Sequence, residues 1–161
     1  MPTEDARTKV GGIIQLRDLS MIGVLAAPDR PGLAAAVFTA LGTARLNAQF
    51  IVQGIDTNNE SHVHFCVASE DTDRCLELLD PVANGIGAKR LVERRPVSLI
   101  SIFGPDFRER PGIAGTAFGA LARSGVNILA VSTSISTVSC VIDEADHDSA
   151  MAALREVFVL P

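Results

Sequence analysis

The strongest constraint in the sequence is an internal repeat at an offset of about 80 residues. The first copy contains Arg30-Pro31-Gly32-Leu33-Ala34, and the second contains Arg110-Pro111-Gly112-Ile113-Ala114. Beyond these motifs a phenylalanine, an Ala-Leu pair and an aliphatic residue followed by Asn recur without a gap, at Phe38 and Phe118, Ala40-Leu41 and Ala120-Leu121, and Leu46-Asn47 and Val126-Asn127. So many matches in one register predict a duplicated unit of about 80 residues, which is short but viable for a domain.

Each copy has the pattern of a βαββαβ unit. Short apolar runs at 21–25 and 97–102 predict the first strands, and apolar residues at helical spacing after each Pro-Gly turn predict the first helices. Further strands are expected at 50–52, 62–67 and 89–93 in the first copy and at 128–131 and 138–142 in the second. Second helices are expected at 72–82, bent or ended at Pro81, and at 146–158.

By this template the second copy lacks its final strand, because the sequence stops just after its second helix. An unassigned segment at 9–16 has the apolar character of a strand, with Val10, Ile13, Ile14 and Leu16. We expect this segment to complete the second sheet, so that the first domain is inserted within the second without a flexible linker. The predicted bounds are 19–95 for the first domain and 9–18 plus 96–161 for the second, in an α+β fold.

Composition narrows the classes of function. The chain has 14 basic and 19 acidic residues, a net charge of -5, and no Trp or Tyr for base stacking, which argues against nucleic acid and anionic membranes as partners. We expect a cytoplasmic protein, since no apolar run reaches the roughly 18 residues of a membrane span and the start does not resemble a signal peptide. Cys66, Cys75 and Cys140 form no C-x-x-C pair and are expected to be buried free thiols.

The motifs resemble the regulatory region of aspartokinases. The segment from Pro28 to Phe38, with Leu46-Asn47 and Ile51-Val52-Gln53, is similar to the first ACT domain of that family. The second copy is similar to the second ACT domain through three segments, Pro111-Gly112-Ile113-Ala114, Gly125-Val126-Asn127-Ile128 and Ser132-Thr133-Ser134. The resemblance implies two ferredoxin-like ACT domains, the first inserted within the second, in a non-catalytic subunit like the short β subunit of bacterial aspartokinase.

The sequence departs from the family pattern at several positions. Gln49 and Leu129 stand where the family usually has an acidic residue, and the run from Ser132 to Ser139 has no Glu or Arg of the kind that often joins regulatory and catalytic parts. A stand-alone ACT sensor, or a dimerisation module without a kinase partner, therefore stays open as the alternative to a kinase subunit.

A free amino acid presents a carboxylate, an ammonium and a side chain, and the first copy offers a group for each. The turn at Gly32 places backbone N–H groups at a helix N-terminus, which favours a carboxylate. Asp29 can pair with the ammonium, in a charged hydrogen bond of roughly 1.5–3 kcal/mol. Gln53, at the end of the next strand, can bind a hydroxyl group.

The resemblance implies that the effector is threonine, or less favourably lysine, bound between the first ACT domain of one chain and the second of its partner. The matching positions here are Asp29, Gly32, Leu33, Ala34, Gln53, Asn127 and Ile128. A pseudo-symmetric second site would use Gly112, Ile113, Ala114, Asn47 and Ala48. A homodimer is expected, a catalytic aspartokinase subunit is the possible partner, and no cofactor is implied.

Simpler structural roles compete with these assignments. A Pro-Gly dipeptide is first of all a turn and a helix start, and Asp29 could be a helix cap. For Asn47 and Asn127 we favour a structural role, in which each Asn ends its helix and turns the chain into the next strand.

Metal binding and catalysis are both disfavoured. His62, His64 and Cys66 alternate along one strand with the spacing of metal ligands, but their alternation with Val63 and Phe65 is typical of a half-buried strand, and we predict no metal site. An enzyme is disfavoured because the sequence has no paired carboxylates on one helix face, no nucleophile with a plausible His partner and no phosphate-binding loop motif.

Overall fold

A computed structural model describes residues 6–105 and 107–161 of the chain. The secondary-structure elements, in chain order, are β1 (Thr8–Lys9), β2 (Gly12–Pro28), α1 (Leu33–Thr43), β3 (Phe50–Ile55), β4 (Glu60–Ala68), α2 (Thr72–Gly85), β5 (Arg90–Phe103), α3 (Ile113–Arg123), β6 (Ile128–Thr133), β7 (Thr137–Asp143), α4 (His147–Val157) and β8 (Phe158–Val159). Short 3₁₀ turns precede α2 and α4, at Ser69–Asp71 and Glu144–Asp146. None of these helices combines the length and apolar character needed to span a membrane.

The elements pack into two compact units. The central unit is Asp18–Pro96, and the terminal unit combines the described residues up to Arg17 with Val97–Pro161. In sequence, the central unit therefore lies within the terminal unit. The predicted domain bounds, 19–95 for the first domain and 9–18 plus 96–161 for the second, stay a prediction.

The central unit has one sheet with the strand order β3-β4-β2-β5. β4 pairs antiparallel with both β2 and β3, so that Phe65 lies opposite Ile22 on one side and Ile51 on the other. Both helices pack on the face of the sheet that carries Phe65, and they bury residues at helical spacing: Leu33, Val37 and Leu41 from α1, and Cys75, Leu79 and Ala83 from α2. β3 is the edge strand of this sheet.

The terminal unit repeats this arrangement with the order β2-β5-β7-β6, using residues 12–17 of β2 and 97–103 of β5. A separate parallel pair joins β1 to β8. Val10, between β1 and β2, is buried in the terminal core, and Ile13 packs against that core. The N-terminal segment thus belongs to the same core as Phe158, near the other end of the chain.

The structure corrects the sequence-based elements in four places. First, α2 does not end at Pro81 but runs to Gly85. Pro81 lacks the N–H that would bond four residues back, yet the residues beyond it stay helical because Ala83 and Ile86 are buried in the core.

Second, the strands expected at 89–93 and 97–102 form one continuous strand, β5. Third, the segment expected as one strand at 9–16 is divided: β1 ends at Lys9, β2 begins at Gly12, and Gly11 between them donates its N–H to the carbonyl of Phe103 (2.7 Å). The last helix ends at Val157, and Phe158 begins the short strand β8 that the sequence did not predict.

The three cysteines are buried free thiols, as expected. Burial raises the pKa of Cys66 and of Cys140 to about 12, and burial followed by the charge of Asp71 raises that of Cys75 to about 11. A thiol with such a pKa is protonated at neutral pH and is a poor nucleophile.

Candidate effector site at the start of α1

The start of α1 is an open helix N-terminus. Gly32 is the N-cap, with a φ of 101° that only glycine adopts readily, and no side chain in the described residues caps the helix. The first bond of the helix runs from the Ala36 N–H to the Gly32 carbonyl (2.9 Å), so the N–H groups of Leu33, Ala34 and Ala35 have no partner within the helix. The first turn also carries no acidic residue, and these three donors form a ready site for a carboxylate.

Glycine at position 32 is needed for its backbone angle and not for space. A Cβ placed there would meet no atom within 4 Å. The positive φ of Gly32 thus sets the direction of the turn from β2 into α1.

Asp29 lies between β2 and this turn, and its side chain is exposed. Its backbone N–H donates to the carbonyl of Asn59 (2.9 Å), which fixes it beside the β3–β4 hairpin. Its carboxylate makes no hydrogen bond or ion pair with residues 6–105 and 107–161, and it does not cap α1, because the N-cap is Gly32. The alternative interpretation of Asp29 as a helix cap is therefore wrong.

Gln53 lies on the edge strand β3, opposite Val63 of β4. Opposite residues of an antiparallel pair share a face of the sheet, and Val63 belongs to the core beneath the helices. Gln53 is thus on the same face of the sheet as α1. Its Nε2 donates a hydrogen bond to Oγ of Ser61 (2.9 Å), whose residue is 1% exposed.

Sequence reasoning missed Ser61. The signal was present, because Ser61 occupies the first of four alternate positions whose other members are the core residues Val63, Phe65 and Val67. A buried hydroxyl in such a row requires a hydrogen-bond partner.

The remaining residues proposed for the first site lie elsewhere or face inward. Leu33 is buried in the central core, so only its backbone N–H is available to a ligand, whereas Ala34 is partly exposed. Asn127 and Ile128 belong to the terminal unit, where Asn127 is exposed and Ile128 opens β6 opposite Ile142.

The pseudo-symmetric position in the terminal unit has the same local geometry. Gly112, with a φ of 94°, is the N-cap of α3, which no described side chain caps. A cavity of about 230 Å³ opens at this helix start, lined by Thr8, Glu109, Arg110, Pro111, Gly112, Ile113 and Thr116. Ala114 is partly buried against the terminal core, while Asn47 and Ala48 belong to the central unit.

Asn47 and Asn127 do not end their helices. α1 ends at Thr43 and α3 at Arg123, and the left-handed residues that follow are Arg45 (φ 57°) and Gly125 (φ 72°). Each Asn comes two residues after such a position, in an exposed connection. The helix-ending role that we favoured for both residues is therefore wrong.

A second polar group lies at the β3–β4 hairpin, where Asp56, Glu60 and His62 bring their ligand atoms within 4.8 Å of one another. The Oδ2 of Asp56 is 2.8 Å from Nε2 of His62, while Nδ1 of His62 accepts the N–H of Ala26 (3.2 Å). Because Nδ1 is an acceptor, Nε2 holds the proton and donates to Asp56. This bond is the largest cause of a lowered pKa for Asp56, ahead of the N–H donated by Glu60.

A metal ion at this hairpin would need Nε2 of His62 without its proton. The neutral ring would then carry its proton on Nδ1, which faces the Ala26 N–H. The geometry therefore favours a hydrogen-bonded hairpin over a metal site. His64 and Cys66 do not join this group: burial lowers the pKa of His64, and Cys66 is fully buried.

Comparison with known proteins identifies the family. The family model for the ACT domain matches residues 100–158. The regulatory subunit of aspartate kinase from Thermus thermophilus is 30% identical, and the alignment covers 94% of this chain and 100% of that chain with a TM-score of 0.85. The chain belongs to the regulatory ACT-domain family of aspartate kinases. The predicted resemblance and the α+β fold with two ferredoxin-like ACT domains are confirmed.

Two further relatives define the extent of the match. A structure of aspartokinase alpha and beta subunits is 30% identical and covers 92% of this chain and 97% of that chain, with a TM-score of 0.83. The aspartokinase of Mycolicibacterium smegmatis is 32% identical over 99% of this chain, which spans 38% of the relative's length. This ACT pair thus corresponds to the regulatory part of a larger enzyme in the curated relatives.

Proposed function

We propose that this regulatory ACT chain binds a free L-amino acid, in the first place threonine, at the start of α1 and transmits its occupancy to an aspartate kinase catalytic subunit. The observation that carries the proposal is the open helix N-terminus at Gly32, next to the exposed carboxylate of Asp29, which makes no hydrogen bond or ion pair within the described chain. Anion donors and an acidic group side by side match the two charged ends of an amino acid.

The carboxylate of the ligand accepts hydrogen bonds from the N–H groups of Leu33, Ala34 and Ala35. These donors are held rigidly by the helix, and Leu33 is anchored in the central core. The positive end of the helix dipole adds a favourable interaction of roughly 0.3–1 kcal/mol at an exposed site.

The ammonium of the ligand pairs with Asp29, and its side chain extends toward Gln53. With the carboxylate and the ammonium both fixed, only one enantiomer can direct its side chain to Gln53, so we expect the site to distinguish L-threonine from D-threonine. Threonine is favoured over lysine because Gln53 is neutral and offers a hydrogen bond to a hydroxyl group rather than a countercharge.

A second copy of the chain completes the proposed site with its Asn127 and Ile128, as the family resemblance implies. The edge strand β3 supports a homodimer, because it exposes Ile51 and Ile55 and an exposed apolar edge strand favours pairing with another chain. A catalytic aspartokinase subunit is the proposed further partner, which the similarity to aspartokinase alpha and beta subunits supports.

A thermal-shift screen of the twenty common amino acids tests this proposal. A ligand at a hundred times its Kd stabilises the native state by about 2.7 kcal/mol, which corresponds to roughly 5–10 °C for a chain of this size. We expect L-threonine to give such a shift, and L-valine, which lacks the hydroxyl, to give a smaller one.

The variant Asp29→Ala should remove the response to threonine and leave the Tm of the unliganded protein within about 2 °C, because Asp29 is exposed. Asp80→Ala is the matched control, since Asp80 is also an exposed aspartate of the central unit. A wild-type protein with no response to any amino acid would favour a dimerisation module, and a full response of Asp29→Ala to threonine would move the site elsewhere.

A further inference from the structure

We infer that His62 is a positioning residue for the proposed effector site: it joins β2 to the β3–β4 hairpin and so holds Asp29 beside the start of α1. This inference rests on the proposed function and adds the residue on which the ammonium end of the site depends. His62 does not touch the ligand in this account but acts through the two backbone segments that hold Asp29.

The His62 ring forms hydrogen bonds in two directions. Nδ1 accepts the N–H of Ala26 in β2 (3.2 Å), and Nε2 lies 2.8 Å from Oδ2 of Asp56 at the start of the hairpin. A backbone N–H only donates and an ionised carboxylate only accepts. One tautomer satisfies both contacts, the neutral ring with its proton on Nε2, so the direction of each bond is fixed.

Ala26 lies where β2 departs from regular pairing. The register between β2 and β4 shifts between Val24 and Ala27, and Ala26 has a left-handed backbone with a φ of 57°. This conformation is unfavourable for a residue with a side chain, and it persists where the surrounding structure holds it. The bond from Ala26 to His62 is such a restraint, three residues before Asp29.

The hairpin is fixed by the same ring. While Oδ2 of Asp56 faces His62, Oδ1 accepts two backbone N–H groups, from the residues on either side of Asn59 (2.8 and 3.1 Å). The carbonyl of Asn59 in turn accepts the N–H of Asp29 (2.9 Å). The carboxylate of Asp56 therefore shapes the turn to which Asp29 is bonded, and His62 orients that carboxylate.

Asp29 itself is exposed, so its backbone restraints decide where its carboxylate lies relative to the turn at Gly32. Both restraints pass through His62. A binding group is effective only when neighbouring contacts hold it within the needed geometry. His64 is a natural control, because it lies two positions along the same strand, on the same face and farther from the hairpin.

Isothermal titration calorimetry with L-threonine on the wild-type protein and three variants tests the inference. We expect His62→Ala to weaken threonine binding about fivefold or more, as for the loss of positioning hydrogen bonds. His62→Gln carries one acceptor and one donor close together, and its affinity should recover to within about twofold of the wild type. The control His64→Ala should also bind within about twofold of the wild type.

Amide hydrogen exchange separates positioning from a merely structural role. The Asp29 amide should exchange about tenfold faster in His62→Ala, because the turn that carries its acceptor is released. Phe65 lies on a strand paired on both sides, and its amide should exchange as in the wild type. A structural role would instead speed the exchange of both amides equally, and this outcome would overturn the inference.

The outcomes distinguish the two proposals. Wild-type affinity for threonine in His62→Ala, or equal losses in His62→Ala and His62→Gln, overturns the role of His62 and leaves the proposed function in place. Absence of binding of any amino acid to the wild-type protein overturns the proposed function, and with it the role of His62 at the effector site.

Discussion

Arg45 and Gly125 occupy equivalent positions of the two copies, just after the first helix of each, and both have a left-handed backbone, with φ values of 57° and 72°. The left-handed conformation costs a residue with a side chain roughly 1–2 kcal/mol, and glycine avoids that cost. The two units thus use the same left-handed turn, but only the terminal unit has a glycine at that position.

We therefore predict that Arg45→Gly stabilises the protein by about 1 kcal/mol. The exposed side chain of Arg45 should contribute little to offset this gain. Urea denaturation measures the effect, and the reciprocal Gly125→Arg variant is the matched comparison, with an expected loss of about 1 kcal/mol or more. Loss of stability in Arg45→Gly would show that the arginine side chain outweighs the backbone cost.

His147, the first residue of α4, is a buried histidine in the terminal unit. Its Nε2 donates to Oε1 of Gln15 (2.8 Å), and Nδ1 is buried with no partner among the described residues. Burial, followed by the charge of Arg17, lowers the pKa of His147, against a weaker opposite effect of Asp148 and Glu144. The position at a helix N-terminus also disfavours a positive charge.

A lowered pKa in the native state means that the unfolded state binds more protons as the pH falls below the usual histidine value of about 6.5. The contribution of His147 to stability is therefore lost progressively as the pH falls from about 6.5 through the lower native pKa. We predict a shallower decline of the unfolding free energy between pH 7 and 5 in His147→Gln than in the wild type. Parallel declines in the two proteins would contradict this.

At the residue scale, the sequence predicted the turn residues that recur in both copies of the repeat. Gly32 and Gly112 stand out in both copies, and both have the left-handed angle that ends a strand and starts a helix. Ser61 could not be assigned, because its contact with Gln53 depends on the register between β3 and β4. The sequence alone leaves that register open by one or two residues.

At the scale of elements, the sequence pattern predicted a helix or strand well where its apolar residues recur at a single helical or strand spacing. The errors fall where tertiary packing overrides a local signal. Pro81 did not end α2, because Ala83 and Ile86 beyond it are buried. β8 was missed because two residues give no periodic pattern, and its pairing partner β1 lies about 150 residues away in sequence.

The N-terminal strand allows a matched test of packing. Ile13 packs against the terminal core, while its neighbour Ile14 has 51% of its surface exposed. We predict that Ile13→Ala lowers the unfolding free energy by about 2 kcal/mol and that Ile14→Ala changes it by less than about 0.5 kcal/mol. Chemical denaturation of both variants measures this, and equal effects would contradict the assignment of this segment to the terminal core.

At the scale of the whole molecule, two copies of one unit share a turn, a helix start and an edge strand, but they differ in their polar groups. Both copies have an acidic residue before the turn, Asp29 and Glu109, but the terminal copy has Thr133 where the central copy has Gln53, which bonds to the buried Ser61. Duplication supplies two similar helix N-termini, and these local differences favour the central one as the primary effector site.

The most direct test of this account is a titration of the ¹⁵N-labelled chain with L-threonine, followed by amide chemical shifts. The account predicts that the backbone amides of Leu33, Ala34 and Ala35 and the side-chain amide of Gln53 shift together and saturate, whereas D-threonine shifts them little. Saturable binding of L-threonine that leaves these four amides unchanged, or no binding at all, would contradict it.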